Sequence, residues 1–127
     1  MPHLLIVDDS PTIRRMVKVA LAPMQMDVIE AGSGLEAIEQ LAVAPVQMVI
    51  LDLNMPDMHG LEVLGFVRSN QKFHHLPVIV LTTRGDDASR DAAIQAGATR
   101  YLTKPFQPQA LLTEARQALA SAVQDAR

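Results

Sequence analysis

The fold is decided by residues 46–56, which read Val-Gln-Met-Val-Ile-Leu-Asp-Leu-Asn-Met-Pro. This nearly continuous apolar run is too short for a helix of ordinary length, and it ends at the carboxylate of Asp52, just before turn residues. Such a run predicts a parallel strand that is buried on both faces of its sheet. In open α/β sheets, ligands bind just beyond the carboxyl ends of the strands, so Asp52 is the first candidate for a reactive group.

Composition bounds the class of protein. The chain has 127 residues, 49% apolar and 20% charged, with a formal net charge of −3 and no cysteine. This length fits one domain with a substantial core. The acidic balance argues against a nucleic-acid partner, and a chain without cysteine has no disulfide or thiol chemistry. With no secretory signal and no apolar run long enough for a bilayer, we expect a single cytoplasmic domain over residues 1–127, without membrane association.

Segments like the opening one alternate with helical patterns along the chain. Five strands are predicted, over residues 3–8, 26–31, 46–52, 77–82 and 99–103. Strands that alternate with helices indicate an α/β fold, in which a parallel sheet carries helices on both faces and the crossovers are right-handed.

Capping residues predict where the helices begin. Ser10 precedes Pro11, a favoured N-cap followed by proline in the first helical position. Ser33 lies three residues before Glu36, which is the spacing of a capping box. Further helices are predicted near residues 59–69, from residue 86 to Gly97, and from residue 107 onward.

Apolar spacing predicts which helical side chains face the sheet. In the second helix we expect Leu35, Ile38 and Leu41 to point inward, and in the first helix Arg14 lies outside the apolar stripe. The fourth helix has Ile94 as its only large apolar residue. We therefore expect that helix to dock shallowly on the sheet and to be displaced easily.

Polar residues follow four of the five predicted strands. The first strand ends in Asp8 and Asp9, the third in Asp52, the fourth in Thr82 and the fifth just before Lys104. Because the strands are parallel, these side chains converge on one edge of the sheet. Three carboxylates crowded there repel, since two unit charges ~4 Å apart cost about 4 kcal/mol at an effective dielectric of 20. A hard divalent cation such as Mg²⁺, with oxygen ligands, offsets that repulsion.

The same positions carry a family resemblance that covers essentially the whole chain. The motifs are Asp8-Asp9-Ser10, Asp52 with Met55-Pro56 and Gly60, Thr82, and Lys104-Pro105-Phe106. Together they resemble the receiver domain of two-component response regulators, and within that family the stand-alone, chemotaxis-type (CheY-like) regulators without an output domain. The resemblance implies a flavodoxin-like sheet with strand order 2-1-3-4-5. The second strand, which ends at Glu30 and Ala31, is then an edge strand of the sheet and lies outside the site.

The resemblance implies a role for each residue at this edge. Asp52 is the nucleophile, which accepts a phosphoryl group from a phosphohistidine donor and becomes an aspartyl phosphate. Asp9 and Asp52 ligate Mg²⁺ directly, Asp8 acts through water, and the Asn54 backbone carbonyl completes the protein ligands. Lys104 places a point charge on a phosphoryl oxygen. Such a domain is no conventional enzyme, although it catalyses its own phosphorylation and dephosphorylation.

Signalling and signal lifetime are also implied by the resemblance. Thr82 is expected to move its hydroxyl to a phosphoryl oxygen while Tyr101 turns inward, which changes the surface formed by the fourth helix, fifth strand and fifth helix. A downstream protein target reads that surface. Asn54, Thr83 and Arg84 are expected to modulate hydrolysis of the phosphoryl group, with Arg84 slowing it.

Three further residues shape the loops around the site. By resemblance, Pro56 and Gly60 fix the loop after the third strand, and Pro105 follows a cis peptide bond from Lys104. The implied donor is a sensor histidine kinase or a histidine phosphotransfer protein, and no feature of the sequence says which.

Two other classes of function compete with this interpretation. A phosphohydrolase of the haloacid-dehalogenase type also uses an aspartyl nucleophile and Mg²⁺, but it needs a second Asp where this chain has Asn54, and its nucleophile is on the first strand. A phosphorylation-independent interaction module with a receiver fold usually lacks one of the acidic residues or the lysine, and this chain has them all. A dinucleotide-binding domain is excluded because its glycine signature is missing.

Overall fold

A computed structural model describes the backbone of residues 3–83 and 85–125, and the side chains of these residues as far as 122. Strands and helices alternate throughout, in the order β1 (His3–Val7), α1 (Pro11–Ala20), β2 (Asp27–Ala31), α2 (Gly34–Val43), β3 (Val46–Asp52), α3 (Gly60–Ser69), β4 (Val78–Thr82), α4 (Asp87–Gln95), β5 (Arg100–Thr103) and α5 (Pro108–Asp125). A short 3₁₀ turn over Ala22–Met24 separates α1 from β2.

The five strands form one parallel sheet in the order β2-β1-β3-β4-β5. The predicted fold class and strand order are confirmed, and each strand end agrees with its predicted position to within one residue. The opening apolar run is β3, at the centre of the sheet, with β1 hydrogen-bonded on one side and β4 on the other. The chain reverses its winding direction between β1 and β3, so a crevice opens at their carboxyl ends.

Burial of β3 on both faces explains its continuous apolar sequence. Met48 and Ile50 pack in a layer with α1 and α5, whereas Val49 and Leu51 pack in the opposite layer with α2, α3 and α4. Successive residues of a strand point to opposite faces, and here neither face meets water. Asp52 thus continues a segment that is held rigidly from both sides.

Side-chain caps fix the starts of the helices where the sequence predicts them. The hydroxyl of Ser10 accepts a hydrogen bond from a backbone N–H three residues on (3.2 Å), and the hydroxyl of Ser33 does the same (3.1 Å). The Asp86 carboxylate caps α4 in this way (3.0 Å). At the start of α3, the imidazole Nδ1 of His59 accepts from the N–H of Leu61 (3.1 Å). Each cap satisfies a donor that the helix leaves unpaired.

The inward face of α2 differs from its prediction at one position. Leu35 was expected to face the sheet, but its side chain is 59% exposed. The buried positions are Gly34, Ala37 and Leu41, spaced three and four residues apart, and Leu35 lies outside that stripe. Gly34 belongs to the stripe because α2 begins directly against Met58, whose Cβ lies 2.8 Å from where a Cβ on Gly34 would be. The rotation of the helix is therefore set by this close approach.

The fourth helix docks through very little apolar surface. Ala93 is its only buried residue, while Ile94 is 45% exposed. Burial of apolar surface is what holds a helix on a sheet. The docking of α4 is therefore shallow, as its sequence predicts. Among the described residues, no helix is long and apolar enough to cross a membrane.

Candidate functional site

The carboxyl ends of four strands bring polar side chains to one edge of the sheet. Asp52 is the last residue of β3 and Thr82 the last of β4, while Asp8 directly follows β1 and Lys104 directly follows β5. Three of these residues are polar but buried: the exposed fraction is 3% for Asp8, 4% for Asp52 and 0% for Thr82. Buried polar groups need partners within the fold, so their contacts define what the site can do.

Lys104 joins the two buried aspartates. Its ammonium Nζ lies 2.8 Å from Oδ2 of Asp8 and 3.1 Å from Oδ1 of Asp52. Backbone donors complete the shell, because the N–H of Ser10 donates to Oδ1 of Asp8 (2.9 Å) and the N–H of Asn54 donates to Oδ1 of Asp52 (3.3 Å). One cation thus balances two carboxylates, and the site keeps an excess of negative charge.

That imbalance moves the pKa values of the central groups. Burial raises the pKa of the Asp52 carboxyl, the negative charge of Asp8 raises it further, and Lys104 opposes both only in part. Burial by itself lowers the pKa of Lys104, but the hydrogen bond to Asp8 and the charges of Asp52 and Asp8 outweigh it, so the pKa of Lys104 is raised. Lys104 therefore holds its positive charge more firmly than a free lysine does, whereas ionisation of the Asp52 carboxyl costs free energy in this site.

The acidic residues fit a hard divalent cation. Asp8, Asp9 and Asp52 each place one carboxylate oxygen within 4.8 Å of the others. All these donors are oxygens, and Asp9 is exposed while the other two are buried, so the cluster opens toward solvent on the Asp9 side. An all-oxygen cluster with one open side is the kind of site that Mg²⁺ uses, because this ion retains several waters.

Thr82 lies on the other side of Asp52 from this cluster of carboxylates. The side-chain amide of Asn54 donates a long hydrogen bond to the Thr82 hydroxyl (3.5 Å). Both residues line a cavity of about 150 Å³ that also reaches His59 and Ser89, between the β3–α3 loop and α4. The buried hydroxyl of Thr82 therefore has open space beside it into which neighbouring side chains can move.

Close backbone packing explains the glycine in the loop after β3. The N–H of Gly60 donates to the carbonyl of Leu53 (2.7 Å), and a Cβ on Gly60 would overlap the Asp52 carbonyl and the Leu53 Cα. Any side chain there would push the start of α3 away from the end of β3. Gly60 thus fixes the loop that carries Asn54, whereas Pro56 is exposed on it.

Asp57, in the same loop, is a residue that sequence reasoning missed. Its two carboxylate oxygens accept hydrogen bonds from the N–H groups of Gly34 (3.1 Å) and Leu35 (3.2 Å), at the start of α2. These bonds lower the pKa of the Asp57 carboxyl. The loop after β3 is therefore anchored to α2, and a lone Asp in a turn gives no signal of partners 22 and 23 residues upstream.

A groove with an apolar wall opens beside Lys104. Thr83, Pro105 and Phe106 line it together with Ile13 and Met16 of α1, and the volume enclosed is about 370 Å³. The peptide bond between Lys104 and Pro105 is cis, as the resemblance implied. Thr83 is exposed, so it borders the approach to the site without filling it.

Tyr101, the other residue assigned to signalling besides Thr82, lies beyond β4 on the next strand. Tyr101 of β5 is half-buried and packs against the core layer of α2, α3 and α4. On the outer surface, Arg100 of β5 forms an ion pair with Glu114 of α5 (2.9 Å). Arg84 lies outside the described residues, so its placement over the site stays a prediction.

Sequence reasoning also missed a link from β2. Arg14 was expected to lie outside the apolar stripe of α1, and the end of β2 at Glu30 outside the site, but the Arg14 guanidinium contacts the backbone of Asp8 and the carboxylate of Glu30. The helical pattern placed Arg14 outside the apolar stripe correctly, and only the crossing of α1 over the sheet shows what it reaches.

A five-stranded parallel sheet with buried aspartates and a lysine at its carboxyl edge is the architecture of receiver domains. Residues 4–116 match the response regulator receiver domain family, and the chain belongs to it. It is thus a response regulator domain, which signals through phosphorylation. Receiver domains take phosphoryl groups from histidine kinases and act on downstream targets. Such domains are generally not conventional enzymes.

Its relatives include chemotaxis proteins. The chain is 46% identical to chemotaxis protein CheY1 of Helicobacter pylori over 110 residues, which cover 85% of this chain and 89% of that protein. The structure of chemotaxis response regulator CheY4 of Vibrio cholerae matches with a TM-score of 0.86 at 35% identity, covering 93% of this chain and 98% of that one. The transcriptional regulatory protein KdpE of Mycobacterium tuberculosis is 40% identical over 119 residues, but these are only 51% of KdpE.

Proposed function

We propose that this chain is a receiver that accepts a phosphoryl group on Asp52 in a Mg²⁺-dependent reaction and passes the signal through a change of conformation. One observation carries the proposal: Asp52 is a buried carboxylate that shares its only described cation, Lys104, with the carboxylate of Asp8. A merely structural site would balance its charges, whereas this one keeps unpaired negative charge beside an open approach.

The chemistry asks mainly for a fixed nucleophile and for neutralisation of charge. A carboxylate oxygen of Asp52 attacks phosphorus and forms an acyl phosphate, while the bond from phosphorus to the donor imidazole breaks and that nitrogen keeps the electron pair. The anchored end of β3 holds Asp52 in line, and Lys104 lies close enough to turn from the carboxylates to a phosphoryl oxygen. No proton needs to leave Asp52, because it reacts as the anion.

Asp8, Asp9 and Asp52, with the Asn54 carbonyl, would hold Mg²⁺ in this site. The ion supplies positive charge that offsets both the carboxylates and the phosphoryl oxygens. Support comes from the oxygen-only donor set and from the 4.8 Å clustering of the carboxylates.

Signal output rests on Thr82 and Tyr101 in this proposal. When Asp52 carries the phosphoryl group, the Thr82 hydroxyl moves toward it and the Tyr101 ring turns further inward, which shifts the face formed by α4, β5 and α5 toward its active form. The shallow docking of α4 supports this, since a helix whose only buried residue is Ala93 needs little free energy to move. Because the chain has one tyrosine and no tryptophan, its fluorescence reports on Tyr101 alone. A spectrum unchanged by phosphorylation would contradict the coupling.

Lifetime of the phosphoryl group is assigned to Asn54, Thr83 and Arg84. We expect Arg84 to slow attack by water, so Arg84→Ala should shorten the half-life of the phosphorylated protein several-fold. Arg90→Ala, on the exposed side of α4, removes the same charge and serves as the matched control. If the decay rate is the same in both variants, Arg84 has no part in the lifetime.

We further infer that residues 1–127 act as one receiver domain in the cytoplasm. The donor is a sensor histidine kinase or a histidine phosphotransfer protein, and the target is a protein that binds the α4–β5–α5 face. The relatives named for chemotaxis support a target in that process, while the longer relative shows that receivers of this sequence type also serve other outputs.

One experiment tests the acceptor directly. The protein is incubated with Mg²⁺ and phosphoramidate, and mass spectrometry measures the gain of a phosphoryl group in wild type, in Asp52→Asn and after chelation of Mg²⁺. We expect one phosphoryl group on wild type with Mg²⁺ and none in the other two cases. A wild type that never gains the group would favour the interaction module, and release of free phosphate at high turnover would favour the phosphohydrolase.

A further inference from the structure

Asp8 is held from four sides, and one of its partners is not accounted for by the chemistry above. Lys104 and Ser10 contact its carboxylate, and its N–H donates to the carbonyl of Ala31 on β2 (3.1 Å). Its own carbonyl accepts from Nη1 of Arg14, at 2.6 Å. That carbonyl belongs to the peptide unit that connects Asp8 to Asp9. Whatever holds it also sets the direction in which the chain continues to the second acidic residue.

The Arg14 guanidinium is itself fixed in place. Its Nε lies 2.9 Å from Oε1 of Glu30, and the Arg14 side chain is only 18% exposed. The neighbouring loop leaves room for it, since a Cβ on Gly32 would lie 3.3 Å from Nη1 of Arg14. The carboxylate of Glu36 is also near this loop. A planar guanidinium can contact an acceptor on each side at a fixed angle, which a lysine cannot do.

We propose that Arg14, braced by Glu30, is a positioning residue of the acidic site: it fixes the Asp8–Asp9 peptide and so preorganises both carboxylates for a divalent cation. The inference rests on the proposed Mg²⁺-dependent function. Groups that orient metal ligands without touching the metal commonly change metal affinity by 10–100-fold when they are removed. Here the oriented group is the backbone between two ligands, and the contact spans from α1 across β1 to the edge strand β2.

The sign of the effect separates positioning from simple electrostatics. Arg14 is a cation close to an acidic cluster, so loss of its charge alone should tighten the binding of Mg²⁺. Loss of positioning should weaken it. We therefore expect Arg14→Ala to raise the Kd for Mg²⁺ about 10-fold, measured by isothermal titration calorimetry. Arg15→Ala, the exposed neighbour on the same helix, removes the same charge and should leave the Kd unchanged or slightly lower.

A double-mutant cycle tests whether Glu30 acts through Arg14. We expect Glu30→Gln to raise the Kd for Mg²⁺ about threefold in wild type and to have no further effect in Arg14→Ala. If Glu30 acts by its charge alone, its effect is the same in both backgrounds. Arg14→Lys should recover little of the affinity, because an ammonium cannot reach both acceptors in the same geometry.

Two readouts besides phosphorylation distinguish positioning from loss of fold. Urea unfolding shows whether each variant is folded under the assay conditions, and the backbone amide signal of Asp9 in ¹H–¹⁵N spectra reports on its peptide. The proposal expects a folded Arg14→Ala with a displaced Asp9 signal and weaker Mg²⁺ binding. If wild type binds Mg²⁺ and Arg14→Ala binds it equally well, the positioning role of Arg14 is refuted while the proposed function stands. If wild type binds no Mg²⁺ and gains no phosphoryl group, both are refuted. Should Arg14→Ala fail to fold, Arg14→Lys takes its place in the cycle with Glu30→Gln: it keeps the charge and loses the geometry, so a Kd equal to that of wild type refutes the proposal and a Kd raised several-fold supports it.

Discussion

A half-buried cation lies at each end of the strands, and the two cations have opposite surroundings. We call the end where the parallel strands finish the carboxyl edge of the sheet, and the end where they begin the amino edge. At the carboxyl edge, Lys104 lies between the carboxylates of Asp8 and Asp52, and its pKa is raised. At the amino edge, Arg68 of α3 donates to neutral oxygens, and burial lowers its pKa. The negative charge around Lys104 exceeds the single positive charge of its ammonium, whereas the described partners of Arg68 are uncharged oxygens.

Arg68 connects three segments at the amino edge. Its guanidinium donates to the carbonyl of Gly97 after α4 (2.8 Å), to the carbonyl of Leu76 before β4 (2.6 Å) and to the hydroxyl of Thr99 before β5 (3.3 Å). Gly97 has φ +110°, and a Cβ there would lie 2.6 Å from Cγ of Arg68. Glycine is needed at that position both for its backbone conformation and for the room it leaves.

The contrast teaches how to distinguish a structural cation from a functional one in this fold. The described acceptors of Arg68 are all neutral oxygens and take up four of its five N–H donors, so little is left over to bind a ligand. Around Lys104 the charges do not cancel, so a ligand that adds positive charge stabilises the site further. In the proposed reaction, the phosphoryl group then replaces the carboxylates as the partner of Lys104. Four predictions test this contrast.

The largest effect is expected at the carboxyl edge. Lys104→Ala should lower the rate of phosphorylation by phosphoramidate about 100-fold, the usual cost of one lost electrostatic stabiliser. Phosphoryl gain is followed by mass spectrometry over time, and Lys104→Arg serves as the control that keeps a cation. A rate reduced by less than about threefold would make Lys104 a structural cation, like Arg68.

Arg68→Ala should show the reverse pattern. Its loss leaves the carbonyls of Gly97 and Leu76 without their donor, so the free energy of unfolding should fall by about 2 kcal/mol, as measured by urea denaturation. The rate of phosphorylation should stay as in wild type, because Arg68 lies at the opposite edge. A Lys at this position should recover only part of the stability, since it cannot reach three acceptors. A phosphorylation rate that fell with the stability would break the contrast.

The raised pKa of Asp52 predicts that the site lowers stability at neutral pH. The folded protein holds the Asp52 proton more tightly than the unfolded chain does, so stability falls as the pH rises from the ordinary pKa of 3.8 through the raised folded value. Asp52→Asn should therefore raise the free energy of unfolding at pH 7 in the absence of Mg²⁺, because it removes the carboxylate that burial and Asp8 disfavour. That gain should vanish below about pH 4. An equal gain at all pH values would show that ionisation is not the cause.

The smallest effect is expected at Asp57, whose carboxylate is fully exposed to solvent. Its pKa is lowered by the two N–H groups of α2, so the stabilisation it gives is present above the ordinary pKa of 3.8 and is lost as the pH falls through the folded value. Asp57→Asn should lower the free energy of unfolding only slightly, and only above that range. An NMR titration of the Asp57 carboxyl with a midpoint at or above 3.8 would contradict the anchoring of this loop.

Much of the fold could be predicted because the sequence encodes it locally. The run that ends at Asp52 has the length and continuous apolarity of a two-sided strand, and Ser10 and Ser33 cap the helices that they precede. Parallel strands of this kind bring their ends together whatever the details of packing, which is why Asp8, Asp52 and Lys104 could be grouped from sequence. The family motifs supplied the roles that spacing alone leaves open.

What could not be predicted depends on distant packing. Leu35 was placed inward because it fits a helical stripe, and only the contact between Gly34 and Met58 shows how α2 is rotated. Asp57 and Arg14 are charged residues with no local signal, and their partners lie on other elements. Side chains this long or this exposed can point in many directions until the tertiary structure supplies an acceptor.

The sequence by itself determined the central strand, the order of elements and the identity of the residues at the carboxyl edge, because burial and capping act between near neighbours. Only the tertiary structure decided that Lys104 would be shared by two aspartates and that Arg14 and Glu30 would brace the peptide beside them. The reason is physical: hydrophobic periodicity is written along the chain, whereas the balance of charge in a site depends on distances between residues that are far apart in sequence.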